Sequence, residues 1–228
     1  MNKKYINRQM NNSFQYIDIH THKLSNNNNI LTIHNLLPGE LSYNEENLFS
    51  AGLHPWYIKE NWKSQVLEIE KYLSKKNVIA VGECGLDKLK GPSLALQVEV
   101  FNYQDEIANH FKKPMIIHCV KAYDVILSER KKKKEKTNWI IHGFNSSPEM
   151  AFQLIELDCY LSLGENALNN QSKLRESLQD LPLDNLFLET DENNLTIEDL
   201  YYQLAGAKNI SLEKLSGNIK KNFMNVFG

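Results

Sequence analysis

NVIAVGE, residues Asn77 to Glu83, sets four apolar residues in succession and closes them with a glycine and a carboxylate. A strand with one face in water alternates apolar and polar residues; an unbroken run this short reads as a strand buried on both faces, the habit of parallel sheets. Outward from it, seven more runs of strand length recur: Phe14 to His20, Asn29 to Leu36, Leu48 to His54, Pro114 to His118, Asn138 to His142, Cys159 to Leu163 and Asn185 to Glu189. Between several of them lie segments of helical period. Trp62, Val66, Ile69 and Leu73 share one helix face, and Leu94, Val98, Phe101, Ala108 and Phe111 another.

Strand alternating with helix argues for parallel pairing through crossover helices. Eight strands in 228 residues predict an α/β fold of the (β/α)8 TIM-barrel type, which typically takes roughly 250 residues. The economy falls at the front. SNNNN after the first strand and LPGELSYNEEN after the second are too short or turn-rich for a crossover helix. A distorted barrel follows, with one or two of its first outer helices lost or shortened and its wall partly uncovered there. The tail is read as two helices, TIEDLYYQLAGA and SLEKLSGNIKKNFMNVF, opened by Thr196 and Ser211 as caps. The whole chain is expected to form one barrel domain, residues 1–13 being a loosely packed extension.

Hydrophobic residues make up 42% of the chain, and no window has the unbroken apolar length of a bilayer span or a signal-peptide core. Cys84, Cys119 and Cys159 are too few and scattered for a disulfide framework. The reading is a cytoplasmic protein with no membrane association and no stable protein partner. With 26 basic against 28 acidic side chains, no global positive field draws it onto a polyanion, so any nucleic-acid contact must be local.

Catalytic groups of a parallel barrel come from the carboxyl ends of its strands. His20, His22, Glu83, His118, His142 and Asp191 occupy such places. Residues two apart on a strand point the same way, so His20 and His22 can both face the mouth. One histidine there is commonly a hydrogen-bonded core residue; six metal-ligand types at successive strand ends are a constellation. His34, inside strand two, and His110, in the last turn of a helix, are read as structural. His54, in GLHPW, is on the correct face and ambiguous.

In order, DIHTH, GLHPW, VGECGLD, PMIIHC, IIHGFNSS, YLSLGENA, LPLDNLFLETD and NIKKNF resemble the TatD family of metal-dependent hydrolases and deoxyribonucleases along essentially the whole chain. The resemblance implies a distorted TIM barrel holding two divalent ions (Mg, Mn or Zn). His20, His22 and Asp191 would bind one ion, His118 and His142 the other, and Glu83 would bridge them. A bridging carboxylate offsets the repulsion of two cations, and the pair can activate a water and clamp a phosphoryl oxygen. Asp191, as proton acceptor for that water, and Glu83 are the catalytic residues on this reading. Two departures stand out: Val120 where relatives commonly carry arginine, and Glu192-Asn193-Asn194 in place of a proline-rich loop.

The run Lys131 to Lys136 precedes strand six, on the barrel face opposite the catalytic one, and is read as a solvated loop. Lys23, Lys88, Lys90 and Lys121 follow proposed ligand strands and suit phosphate better. Trp56 and Tyr57 could stack a base. His54, Trp56, Lys88 and Lys121 are thus the substrate-binding candidates. No G-x-S-x-G or Gly-rich phosphate loop occurs. The leading expectation is a two-metal deoxyribonuclease with DNA as substrate. Hydrolysis of acyl esters or amides, including aminoacyl-tRNA, is the enzymatic alternative; a weakened barrel acting as a binding protein is the non-enzymatic one.

Overall fold

The computed structural model describes residues 15–23, 27–36, 47–133 and 137–228. The expected extension 1–13, most of the connection between the second and third strands, and Lys134 to Lys136 of the basic run lie outside them. Eight strands pair in chain order as one parallel sheet: β1 Tyr16–Thr21, β2 Ile30–Leu36, β3 Leu48–Ala51, β4 Val78–Asp87, β5 Met115–Val120, β6 Trp139–Ile141, β7 Cys159–Leu163 and β8 Leu186–Leu188. A parallel bridge between Thr21 and Asp191 brings the last strand's exit against the first, so the sheet curls into a nearly closed barrel.

The helices follow from capping and stripe. Trp62, Val66, Ile69 and Leu73 are the buried face of α1, Trp62–Leu73. Ser93 caps α2, Leu94–Phe111. Next come α3, Tyr123–Lys132, and α4, Pro148–Glu156, which Ser147 and a first-turn proline start. After the short α5, Glu165–Leu168, Thr196 and Asp199 close a capping box on α6, Ile197–Lys208, and Ser211 caps α7, Leu212–Phe227. Among the described residues no α-helix precedes α1, in keeping with the shortened front. The wall is less bare than expected at β1, because the C-terminal helices close it. Tyr201 Oη on α6 accepts from Ile17 N–H at 3.0 Å, and Ser216 Oγ on α7 donates to the carbonyl of Gln15.

Several strand ends differ from the sequence reading, and those of β4, β3 and β1 bear on the site. β4 does not stop at Glu83 but continues to Asp87, with its register against β5 shifting between Val81 and Cys84. Glycine permits this: a Cβ on Gly82 would lie 2.5 Å from the carbonyl of Ile116, and one on Gly85 2.0 Å from that of His118. Glu83 therefore projects from a bulge in mid-strand. β3 stops at Ala51, and His54 caps a 3-10 turn, Pro55–Tyr57. β1 runs to Thr21, one residue beyond the expected end.

Candidate metal centre

Glu83 is the hub. Its side chain is buried, and its two oxygens face different histidines. Oε2 lies 3.5 Å from His20 Nε2 and 3.7 Å from His22 Nε2; Oε1 lies 2.8 Å from His118 Nδ1, 2.8 Å from His142 Nε2 and 3.1 Å from His54 Nε2. Asp191 Oδ1 stands 3.5 Å from His22 Nε2 and 3.7 Å from His20 Nε2. Three donor groups of metal-binding type result: His20 with His22 and Asp191; His20 with Glu83 and His142; His54 with Glu83 and His118. All six residues proposed as ligands thus converge, and His54, ambiguous in the sequence, lies beside them with Nε2 3.1 Å from Glu83 Oε1.

The donor set fits divalent ions. His20 is fully buried, yet neither ring nitrogen has a hydrogen-bond partner. A buried imidazole left unpaired costs free energy, and an ion held between Glu83 and Asp191 would satisfy it. Neutral nitrogens with carboxylate oxygens suit Zn, Mn, Fe or Ni, while Mg prefers oxygen.

A second layer, to whose residues the sequence reading gave no role, holds these donors. Asn35 Oδ1 accepts from Glu83 N–H at 2.8 Å and from Ser50 Oγ at 3.2 Å, pinning the β4 bulge to β2 and β3. Glu189 Oε1 faces His142 Nδ1 at 3.2 Å and accepts from Gly143 N–H. Asp18 joins the seam of the barrel, accepting from Thr190 Oγ1 at 2.7 Å and Thr190 N–H at 3.1 Å; burial raises its carboxyl to about 7. From α2, Gln104 bonds both the N–H and the carbonyl of Leu53, next to His54. The αL conformation of Asp191, φ 50°, is held by its N–H donating to the carbonyl of His20 at 3.0 Å.

Charge is concentrated at this hub. Burial alone would raise Glu83, but His142 and His118 hold its carboxyl well below the usual range. Burial likewise opposes a proton on His142, and Glu83 with Glu189 outweighs it, raising the imidazole well above its ordinary value. Burial lowers His54. Trp56 N–H donates to His54 Nδ1 at 3.2 Å, so the neutral ring carries its proton on Nε2, facing Glu83. Burial raises Cys84 far above its ordinary value and Cys119 to about 12, which removes both as nucleophiles.

A cleft of about 140 Å³ opens over the cluster, lined by His22, His54, Trp56, Tyr57, Glu83, His118, His142, Asp191 and Glu192. No lysine or arginine is in that lining. Lys88 is turned to Asp124, with Nζ 2.7 Å from its carboxylate; Lys23 donates to the carbonyl of Asn193; and Lys121 is exposed outside the lining. Lys88 and Lys121 therefore do not line the cleft as the sequence reading expected. Lys88 is drawn away by the acidic first turn of α3, where it pairs with Asp124. Trp56 does line it, and Lys90 Nζ sits 3.4 Å from the center of its ring. His34 is buried in β2 and His110 ends α2, outside the cluster.

No helix among the described residues is long and apolar enough to cross a membrane. An uncharacterized metal-dependent hydrolase of Buchnera aphidicola is 28% identical over 200 residues, covering 81% of this chain and 75% of its own. YcfH of Escherichia coli, likewise named a metal-dependent hydrolase, is 28% identical over 196 residues, 79% of this chain and 73% of its own. In fold, the structure of the TatD homolog YjjV of Escherichia coli superposes with a TM-score of 0.83 at 20% identity, covering 93% of this chain and 98% of that one. A TatD-family hydrolase of Entamoeba histolytica gives 0.76 at 16% identity, over 94% and 98%. The sequence profile of the TatD related DNase family matches residues 3–228, and with a buried histidine–carboxylate cluster at the mouth of a parallel barrel, the chain belongs to the TatD family of metal-dependent hydrolases.

Proposed function

We propose that the protein hydrolyses phosphodiester bonds in DNA with two divalent ions bridged by Glu83. The observation that carries this is the division of the Glu83 carboxylate, one oxygen toward His20 and His22 and the other toward His54, His118 and His142. Two ions, when bound, supply Lewis acidity at the phosphoryl oxygen and a water acidic enough to attack near neutral pH.

The chain's own residues do the rest. His20, His22 and Asp191 hold one side of the site, His118 and His142 the other. Asp191, partly open to the cleft with its side chain 33% exposed, takes the proton of the attacking water. His54 presents Nε2–H inward and donates to an oxygen of the phosphate when Glu83 is occupied elsewhere. The cleft is smaller than the roughly 300–1,000 Å³ that encloses whole ligands. It suits a reacting phosphate, with the adjoining base on the rim. There Trp56 and Tyr57, 37% and 47% exposed, offer stacking faces. Because no lysine or arginine among the described residues lines the cleft, DNA binding is expected to require metal.

The test is cleavage of end-labelled single- and double-stranded DNA with Mg, Mn or Zn, beside acyl esters and aminoacyl-tRNA. Metal-dependent cleavage of DNA that Glu83→Ala abolishes is the expected result. Turnover of acyl substrates alone would replace the proposal with acyl hydrolysis, and no turnover at all with a binding role.

A further inference from the structure

Asp87 lies at the end of β4, four residues past Glu83, and is buried. Its Oδ1 accepts from Leu89 N–H at 2.7 Å and Lys90 N–H at 3.1 Å, shaping the loop. Its Oδ2 is shared: Trp56 Nε1–H donates to it at 2.6 Å, and His118 Nε2 lies 3.3 Å away. Gln97 on α2 fixes the same residue from behind, bonding its N–H at 2.8 Å and its carbonyl at 2.9 Å. One carboxylate oxygen thus joins a histidine of the metal cluster to the aromatic face on the rim.

We infer that Asp87 is a positioning residue that couples metal binding at His118 to the placement of Trp56. His118 turns Nδ1 toward Glu83 and Nε2 toward Asp87; with metal taken up on Nδ1, Nε2 would carry the ring proton and donate to Asp87. A carboxylate in that position fixes the ring's tautomer and strengthens the other nitrogen as a ligand; losing such a partner typically weakens metal binding about 10- to 100-fold. The indole competes for the same oxygen. Metal on His118 therefore alters the bond that orients Trp56, and the rim senses the state of the metal cluster. The inference rests on metal binding by the cluster, whatever the substrate.

Asp87→Asn tests it, since the amide keeps an oxygen for the loop N–H groups and turns an NH2 toward two donors. Zn2+ titrations by calorimetry should show affinity about 10- to 100-fold weaker than in the parent protein. In parallel, the Zn2+-induced change in tryptophan emission, assigned to Trp56 as the part that Trp56→Phe removes, should vanish in Asp87→Asn. A merely structural Asp87 would shift thermal stability in chelator and leave both readouts intact; that result overturns the inference. Should Asp87→Asn not fold, Trp56→Phe decides: with the oxygen left to His118, Zn2+ affinity should rise at least about twofold, and an unchanged affinity refutes the coupling. Absence of Zn2+ binding by the parent protein would instead defeat the metal-site reading itself.

Discussion

Replacing Glu83 with glutamine keeps the side chain's shape and removes its charge. Two dipositive ions about 4 Å apart repel by about 17 kcal/mol at an effective dielectric of 20, four times the unit-charge value. Among the donor groups, Glu83 belongs to both the set with His20 and His142 and the set with His54 and His118, and Asp191 is confined to the set with His20 and His22. Glutamine at 83 therefore leaves one side with histidines alone. Even the roughly 3–5 kcal/mol lost when one member of a buried charge pair is removed corresponds to about 10²- to 10⁴-fold in affinity. Protein dialysed against Mn2+ or Zn2+ and counted by elemental mass spectrometry should fall from two ions per chain to one, retained by His20, His22 and Asp191. Calorimetry should show the tighter step largely kept, and melting in chelator should show the fold kept. Two ions held by Glu83→Gln with affinities within tenfold of the parent would refute the bridging argument.

Asp191→Asn should retain most of its metal yet lose turnover about 10²- to 10⁴-fold; activity near the parent's would exclude Asp191 as proton acceptor. Trp56→Ala should weaken metal-loaded single-stranded DNA binding by about 1–3 kcal/mol, whereas charge reversal at Lys131 and Lys132, in the last turn of α3, should change it little; the opposite pattern would move the nucleic-acid face. Burial lowers Lys113 from 10.5 to about 8, and its Nζ donates to the carbonyls of Leu73, Lys75 and Val78 behind α1. The unfolded chain then binds more protons between those values, so stability rises with pH across that window, by up to about 3 kcal/mol. The three carbonyls favour the ammonium and temper that rise. Lys113→Met should abolish the rise and cost about 1–3 kcal/mol near neutral pH, read by urea unfolding at pH 8 and 10; identical slopes in both proteins would contradict it.

Much of this was legible in the sequence because it is periodic or local. The unbroken apolar run Val78 to Val81 marked a strand buried on both faces, and Thr196 and Ser211 marked two helix starts. His20, His22, His118 and His142 stood out because ligand-type residues at the ends of apolar runs have few local reasons to be there. The reach of β4 past Glu83 was missed, although Cys84, Leu86 and Asp87 carry a signal in their resumed alternation beyond Gly82. The layer behind the ligands was not legible. Gln97 and Gln104 sit on the inner face of α2, where periodicity asks only for apolar residues, and their partners are loop backbones at Asp87 and Leu53. Asn35, Asp18 and Glu189 likewise act through contacts between strands that no single window of sequence contains. Loop lysines failed for the same reason, since Lys88 has its anion in Asp124 at the start of α3, beyond the next strand.

The central claim is the bridge, and anomalous scattering from a crystal grown with Mn2+ measures it most directly. Two peaks about 3.5–4 Å apart, one beside each oxygen of Glu83 and the first flanked by His20, His22 and Asp191, are the predicted result. A single peak, or a pair that does not have Glu83 between them, would contradict it.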